Sequence, residues 1–243
     1  MIDIQNLILG YDGRILLSAG DVHIPDGSLV ALLGRNGSGK STFLRAASGL
    51  SEPLSGSIAY DGVPVGQMSG RSRALVVSVV STDRVRVPDF TVRDFVALGR
   101  SPYTDWLGRL SSEDALMVDN ALSIVGMTEF AGRTMDRMSD GECQKVMVAR
   151  AVAQDTPHIL LDEPTSFLDY PNKRLLISLL KSLTSGEGGI KKRTIIFSAH
   201  DISLALEYCD SVLLVNEGDM EYMENTETAR EVIWRLLDPE RNH

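Results

Sequence analysis

Nine consecutive residues, Gly34 to Thr42 (GRNGSGKST), carry the groups needed to hold a polyphosphate. They fit G-x-x-x-x-G-K-[ST] at Gly34, Gly39, Lys40 and Ser41, between an apolar run (Leu29 to Leu33) and a helix-compatible segment (Thr42 to Ala47). Gly34, Gly37 and Gly39 let the backbone turn and point successive N–H groups at one anion, with Asn36 and Ser38 in the same cradle. The helix N-terminus that follows adds partial positive charge. Lys40 would reach the terminal phosphates. The Ser41 hydroxyl suits Mg²⁺, which prefers oxygen ligands and shares them with substrate phosphates.

Two more groups carry chemistry of the same kind. HILLDEP, His158 to Pro164, ends a buried-strand pattern in two acids. In a chain with a phosphate loop, Asp162 is the metal-side acid, and Glu163, facing the other way, is placed to orient or deprotonate a water attacking a γ-phosphate. MSDGE, Met138 to Glu142, opens a helix, where the Ser139 hydroxyl, the Gly141 N–H and the helix N-terminus offer a second anion site.

The elements that must position these residues alternate in type. Residues 2–10 and 15–24 read as two strands of an antiparallel hairpin around Tyr11-Asp12-Gly13-Arg14, with the Tyr11 ring available to stack on a base. Residues 57–65 continue the antiparallel material, 74–81 read as a buried strand, and Pro88 breaks the pattern. Helices are predicted from Thr91 with Asp94, from Ser111 with Asp114 to a stop at Gly126, and from Ser139 or Asp140, with Val146, Ala149, Val152 and Ala153 inward. A strand at 158–164, a helix at about 172–183, a glycine-rich basic loop at 185–193, a strand at 194–200, a helix and a hairpin over Asn-Glu-Gly-Asp follow. A closing helix, 227–238, is expected to turn Val232, Ile233, Leu236 and Leu237 inward. The pattern is α/β.

Composition bounds the rest. A chain of 243 residues with 43% hydrophobic content can bury one large core, and its apolar runs fall short of the roughly 18 residues a membrane span needs. Its first residues lack the basic start and long apolar centre of a secretory signal, so the cytosol is the expected compartment. The net charge of −9 argues against a nucleic-acid partner. Within 71–109, however, seven arginines against four aspartates give +3, so the remainder carries −12, and a local basic face has a partner-surface reading. Cys143 and Cys209 have no metal-type spacing and read as reduced structural residues.

Taken together, GRNGSGKST, MSDGE, HILLDEP, SFLD (Ser166 to Asp169) and His200 closely resemble, in order and rough spacing, the ATPase subunits of ABC transporters. The resemblance covers essentially the full chain. It implies a phosphate-loop NTPase (RecA-like) core with an N-terminal antiparallel β-subdomain and an inserted helical subdomain. The single domain would divide at about 1–82 and 157–243 for core and β-subdomain, and 83–156 for the helical part. It also implies ATP and Mg²⁺, and a head-to-tail homodimer in which MSDGE of one copy closes on ATP held by GRNGSGKST of the other. By the same resemblance Tyr11 is the base-stacking aromatic, and Lys40, Ser41 and Thr42 are phosphate and Mg²⁺ contacts. Asp162 is the metal acid, Glu163 the catalytic base, His200 the switch residue at the γ-phosphate and Asp169 the aspartate linking the two sites.

Two positions depart from the family pattern. The usual metal-touching glutamine is replaced within VSTDR by Thr82, or by its neighbours Ser81 or Asp83, and Glu142 stands where the signature ends in glutamine. The segment TVRDFVALGRSPYTDWLGRLSSED resembles the permease-facing helical region of ATPases serving iron-siderophore, haem and cobalamin importers. That implies two multispanning permease subunits as partners, a periplasmic binding protein indirectly, and a place at the cytoplasmic face of the bacterial inner membrane. The alternative is a soluble ABC-type ATPase of repair or translation without a permease.

Overall fold

The computed structural model describes residues 1–11, 13–82, 87–186 and 191–238. Asp12 of the first expected turn, Asp83 and residues 187–190 of the expected glycine-rich loop lie outside the described residues.

Strand β1 (Ile2–Tyr11) pairs antiparallel with β2 (Arg14–Ala19) through its second half and with β3 (Val22–Ile24) through its first. The single strand expected over 15–24 is therefore broken, at Gly20 and Asp21. The break has its cause in the facing strand. Asn6 adopts a left-handed φ of 42°, and its backbone N–H and side-chain amide both donate to the Asp21 carboxylate at 3.2 Å, which interrupts the ladder while the register on either side stays the same. A hairpin of β5 (Ser55–Tyr60) and β6 (Val63–Pro64) adds to the other side of β1.

The parallel part consists of β4 (Leu29–Gly34), β7 (Val77–Val80), β8 (His158–Leu161), β9 (Thr194–Ser198) and β10 (Ser211–Asn216), in spatial order β10-β4-β9-β8-β7. These strands are apolar on both faces because both faces are covered. Leu29, Ala31 and Leu33 point into one hydrophobic cluster and Val30 and Leu32 into the other; Ile195 and Phe197 alternate with Ile196 in the same way. Strand β11 (Asp219–Glu224) folds back on β10 over Glu217 and Gly218, both at positive φ, and joins β2 in parallel. The antiparallel and parallel parts thereby form one sheet among the described residues.

Helix α1 (Lys40–Ala47) covers one face, burying Phe43 and Leu44. A short α2 (Gly70–Ala74) follows; it takes Ala74, the first residue of the strand expected over 74–81, and the strand itself begins at Val77. Helices α3 (Val92–Ala97), α4 (Ser112–Ile124) and α5 (Asp140–Ala153) pack on one another, with Thr91, Ser111 and Ser139 as N-caps and Gly126 at φ 69° after α4. Val146, Ala149, Val152 and Ala153 are all buried, as their spacing requires. Arg100, buried beneath these helices, donates to Asp114 at 2.8 Å and to the Ala153 carbonyl at 2.8 Å.

Helices α6 (Tyr170–Ser185) and α7 (Ile202–Tyr208) cover the other face of the parallel strands, and α8 (Glu227–Leu237) closes the chain. In α8 Ile233 is fully buried, and Trp234, Leu236 and Leu237, half-buried as Val232 is, pack on the core. The tryptophan, which the aliphatic spacing leaves out, joins the core contacts on the opposite flank of Ile233 from Val232. Both Cys143 and Cys209 are buried thiols. No helix among the described residues is long and apolar enough to cross a membrane.

Candidate active site

In a parallel sheet the strand ends rich in functional groups are the carboxyl ends. Gly34 ends β4, Asp162 and Glu163 follow β8, His200 follows β9, and Thr82 follows β7, so neighbouring strands deliver four motifs to one edge. Gly37 at φ 75° and Gly39 at φ 102° take left-handed conformations at which a side chain would be strained, and Gly39 N-caps α1. The loop they shape leaves a cavity of about 400 Å³, lined on one side by Asn36, Gly37, Gly39, Lys40, Ser41 and Thr42 and closed by Leu16, Glu163 and His200.

The cavity is poised for anions. Lys40 Nζ donates to the Gly34 and Arg35 carbonyls at 2.9 and 3.0 Å, holding the loop's carbonyls turned toward the ammonium. Burial lowers the Lys40 pKa, and the charges of Glu163 and Asp162 push it back. Ser38 Oγ is buried with no hydrogen-bond partner among the described residues, and a Cβ on Gly34 would come within 2.7 Å of it. Tyr11, exposed, donates from its hydroxyl to Thr42 Oγ1 at 3.4 Å, so its side chain lies beside the loop.

Asp162 and Glu163 diverge, as adjacent residues at a strand end should, but through a sharper turn than strand alternation gives. Glu163 adopts φ 48°, a left-handed conformation costing about 1–2 kcal/mol for a residue with a Cβ. The turn sends its carboxylate toward His200, whose Nε2 lies 2.6 Å from Oε1, while Ser166 Oγ donates to Oε2 at 2.9 Å. Burial raises the Glu163 pKa, but the Ser166 and His200 contacts and the Lys40 charge outweigh it and hold the carboxyl below its ordinary value. Asp162 Oδ1 accepts from Ser198 Oγ at 2.7 Å. The Thr82 hydroxyl, expected at a metal, donates to the Asp162 backbone carbonyl at 3.2 Å.

The residues of MSDGE do not line the cavity of their own chain. They form a capping box at the start of α5: Ser139 Oγ accepts from the Glu142 N–H, and Glu142 Oε2 accepts from the Ser139 N–H at 2.7 Å and from its hydroxyl at 2.8 Å. Those Ser139 contacts, with Arg133 at 3.9 Å, keep the Glu142 pKa low against the opposing effect of burial. The second anion site expected at this helix start is thus filled by the chain's own carboxylate. Gly141 packs under Leu168, which leaves a Cβ there only 3.0 Å of room. Asp169 caps α6, accepting from the Asn172 N–H at 3.0 Å and its side-chain amide at 2.7 Å.

Sequence reading missed Leu16, Ser166 and Ser198. Ser166 was legible three residues beyond Glu163. Leu16 and Ser198 were not, because an apolar strand residue and a buried strand serine carry no motif.

The profile of the ABC transporter family matches residues 17–166. A petrobactin import ATP-binding protein of Bacillus anthracis is 35% identical over 216 residues, covering 89% of this chain and 78% of that protein. An achromobactin transport ATP-binding protein of Dickeya dadantii is 35% identical over 212 residues, covering 87% and 77%. Among solved structures, a dimeric ATP-binding cassette in a post-hydrolysis state with ADP and Pi superposes with a TM-score of 0.78 at 25% identity, covering 93% of this chain and 99% of that one. A metal-chelate type ABC transporter in an inward-facing conformation also gives 0.78, at 27% identity, covering 92% and 83%. A cavity built from phosphate loop, strand-end acids and histidine, on a chain with these relatives, leads to one conclusion: the chain belongs to the ABC transporter family and is an ATPase of that family.

Proposed function

We propose that this chain is the ATP-hydrolysing subunit of an importer for an iron-chelate (siderophore), haem or cobalamin, working as a homodimer on two permease subunits at the cytoplasmic face of the bacterial inner membrane. The single observation that carries the mechanism is the convergence of Lys40, Ser41, Glu163 and His200 on one cavity that MSDGE of the same chain does not reach. A second copy would bring its Ser139 and Gly141 to that cavity and complete the site. The petrobactin, achromobactin and cobalamin names of relatives support the cargo class.

The residues present fit the expected metal, because the Ser41 hydroxyl and the Asp162 carboxylate are an all-oxygen donor set. Bound there, Mg²⁺ would neutralise charge on the β- and γ-phosphates. Lys40 leaves the loop carbonyls for the phosphate oxygens. Glu163 orients the attacking water in line and accepts its proton, and His200 holds that carboxylate and reads the γ-phosphate. Trp106, 89% exposed, stands with Leu107 and Leu110 on the surface of the helical segment, where an apolar partner surface would bury them. We assign the permease contact to this face.

Purification from membranes tests the assignment. Co-purification with a multispanning partner, lost in Trp106→Glu while the isolated subunit keeps its ATPase activity, supports it. A fully active protein that never associates with a membrane partner would favour the soluble repair or translation reading.

A further inference from the structure

The peptide unit between Asp162 and Glu163 is held at both ends by hydroxyls from the two neighbouring strands. On the β9 side, Ser198 Oγ accepts the Glu163 N–H at 2.7 Å and donates its own proton to Asp162 Oδ1 at 2.7 Å. From the end of β7, Thr82 Oγ1 donates to the Asp162 carbonyl at 3.2 Å. The register bears on the fit: Leu161 pairs with Phe197, which sets Ser198 beside Asp162, and Val80 pairs with Leu161, which sets Ser81 level with Asp162 and Thr82 one position further out, where its hydroxyl reaches back to the Asp162 carbonyl.

We propose that Ser198 and Thr82 are positioning residues that clamp the Asp162–Glu163 peptide, fixing the left-handed turn that aims Glu163 at His200 and directs Asp162 toward the phosphate loop. A hydroxyl can donate once while accepting, and Ser198 uses both capacities on the two acids. Ser198 is fully buried, so no water would replace the lost partners of the Glu163 N–H and Asp162 Oδ1. The left-handed φ of Glu163 persists because the surroundings over-determine it, and the clamp is what does so. Thr82 thereby acquires a role in the nucleotide-free protein other than that of a metal ligand.

The inference rests on the proposed function of Glu163, and the experiment separates the two. Turnover and ATP KM are measured for Ser198→Ala, Ser198→Thr, Thr82→Val and Glu163→Gln. Amide hydrogen exchange at Glu163 is followed in nucleotide-free protein. Expected are a fall of about tenfold or more in kcat for Ser198→Ala with KM within twofold, in line with loss of catalytic-group alignment, faster exchange at the Glu163 amide, and recovery in Ser198→Thr. Unchanged kcat in Ser198→Ala with an inactive Glu163→Gln overturns the clamp and leaves the assignment of Glu163 standing. Full activity in Glu163→Gln overturns that assignment itself. If Ser198→Ala does not fold, Thr82→Val decides: reduced kcat at unchanged KM supports the clamp, and wild-type kcat overturns it.

Discussion

Glu163 Oε1 and His200 Nε2 stand 2.6 Å apart across the mouth of the phosphate-loop cavity. A carboxylate oxygen only accepts, so the imidazole is the donor in this pair. The pair sets an expectation for hydrolysis. Glu163→Gln should reduce turnover by about 10²-fold or more, the usual contribution of a general base, and leave ATP binding intact. Gel filtration with ATP should then show an accumulating dimer; an unaltered rate would remove Glu163 from the mechanism.

The same contact fixes the pH dependence. His200 and Ser166 help hold the Glu163 pKa below its ordinary 4.5, so the base stays ionised at neutral pH and is lost only as the pH falls below that value. In His200→Ala one of these contacts is gone, and the acid limb of the rate profile should move upward in pH. A limb that stays in place or moves down would show that the histidine does not stabilise the carboxylate.

Glu142 occupies the N-terminus of α5, taking both the N–H and the hydroxyl of Ser139, at the helix start that the proposed homodimer would turn toward a γ-phosphate. A second negative group must displace it or bear its repulsion. Glu142→Gln keeps the capping geometry and removes the charge, so ATP-driven dimerisation should need about three- to tenfold less ATP, a change of roughly 1 kcal/mol as for charges at helix termini. Light scattering against ATP concentration gives the answer; no shift would mean that the carboxylate leaves the site freely.

Arg100 and Asp114 form an ion pair buried beneath the helices. Asp114→Ala leaves the guanidinium buried without its charge partner and should cost about 3–5 kcal/mol. For a chain of this size a loss of 1 kcal/mol lowers Tm by roughly 2–4 °C, so thermal unfolding will resolve it. The Asp114 pKa is lowered first by the Ser111 contacts, against burial, and then by Arg100. Its contribution is therefore present above the unfolded carboxylate range and is lost as the pH falls through the folded value.

His158 is buried at the start of β8, neither ring nitrogen hydrogen-bonded among the described residues, beside the Tyr60 ring at a centroid distance of 4.8 Å. Burial, aided by the terminal ammonium, pushes its pKa down to about 4, against the pull of Asp61 and Asp26. The unfolded chain takes up this proton near pH 6.5 and the folded one only near 4, so stability falls as the pH drops between them, by about 3 kcal/mol in all. His158→Phe should flatten that part of the stability curve measured by urea unfolding. An unchanged slope would assign the acid sensitivity elsewhere.

The sequence by itself determined the phosphate loop, the strand-end acids, the helix caps and the α/β alternation. Each rests on a local requirement: glycine at positive φ, a hydroxyl or carboxylate at an N-cap, an apolar run between acids and turns. Capping boxes at Ser111 and Ser139 form as their spacing demands, and Asn-Glu-Gly-Asp makes the hairpin. Tertiary structure alone decided what depends on register between distant strands. Ser198 meets Asp162 across 36 positions, Thr82 meets it across 80, and Glu163 meets His200 across 37. Trp234 joins the core contacts of α8, and Asn6 breaks a strand through Asp21, because neighbours outside the local window supply the deciding contacts. Local chemistry is written along the chain, whereas the partners of a buried hydroxyl are set only when strands from far apart lie side by side.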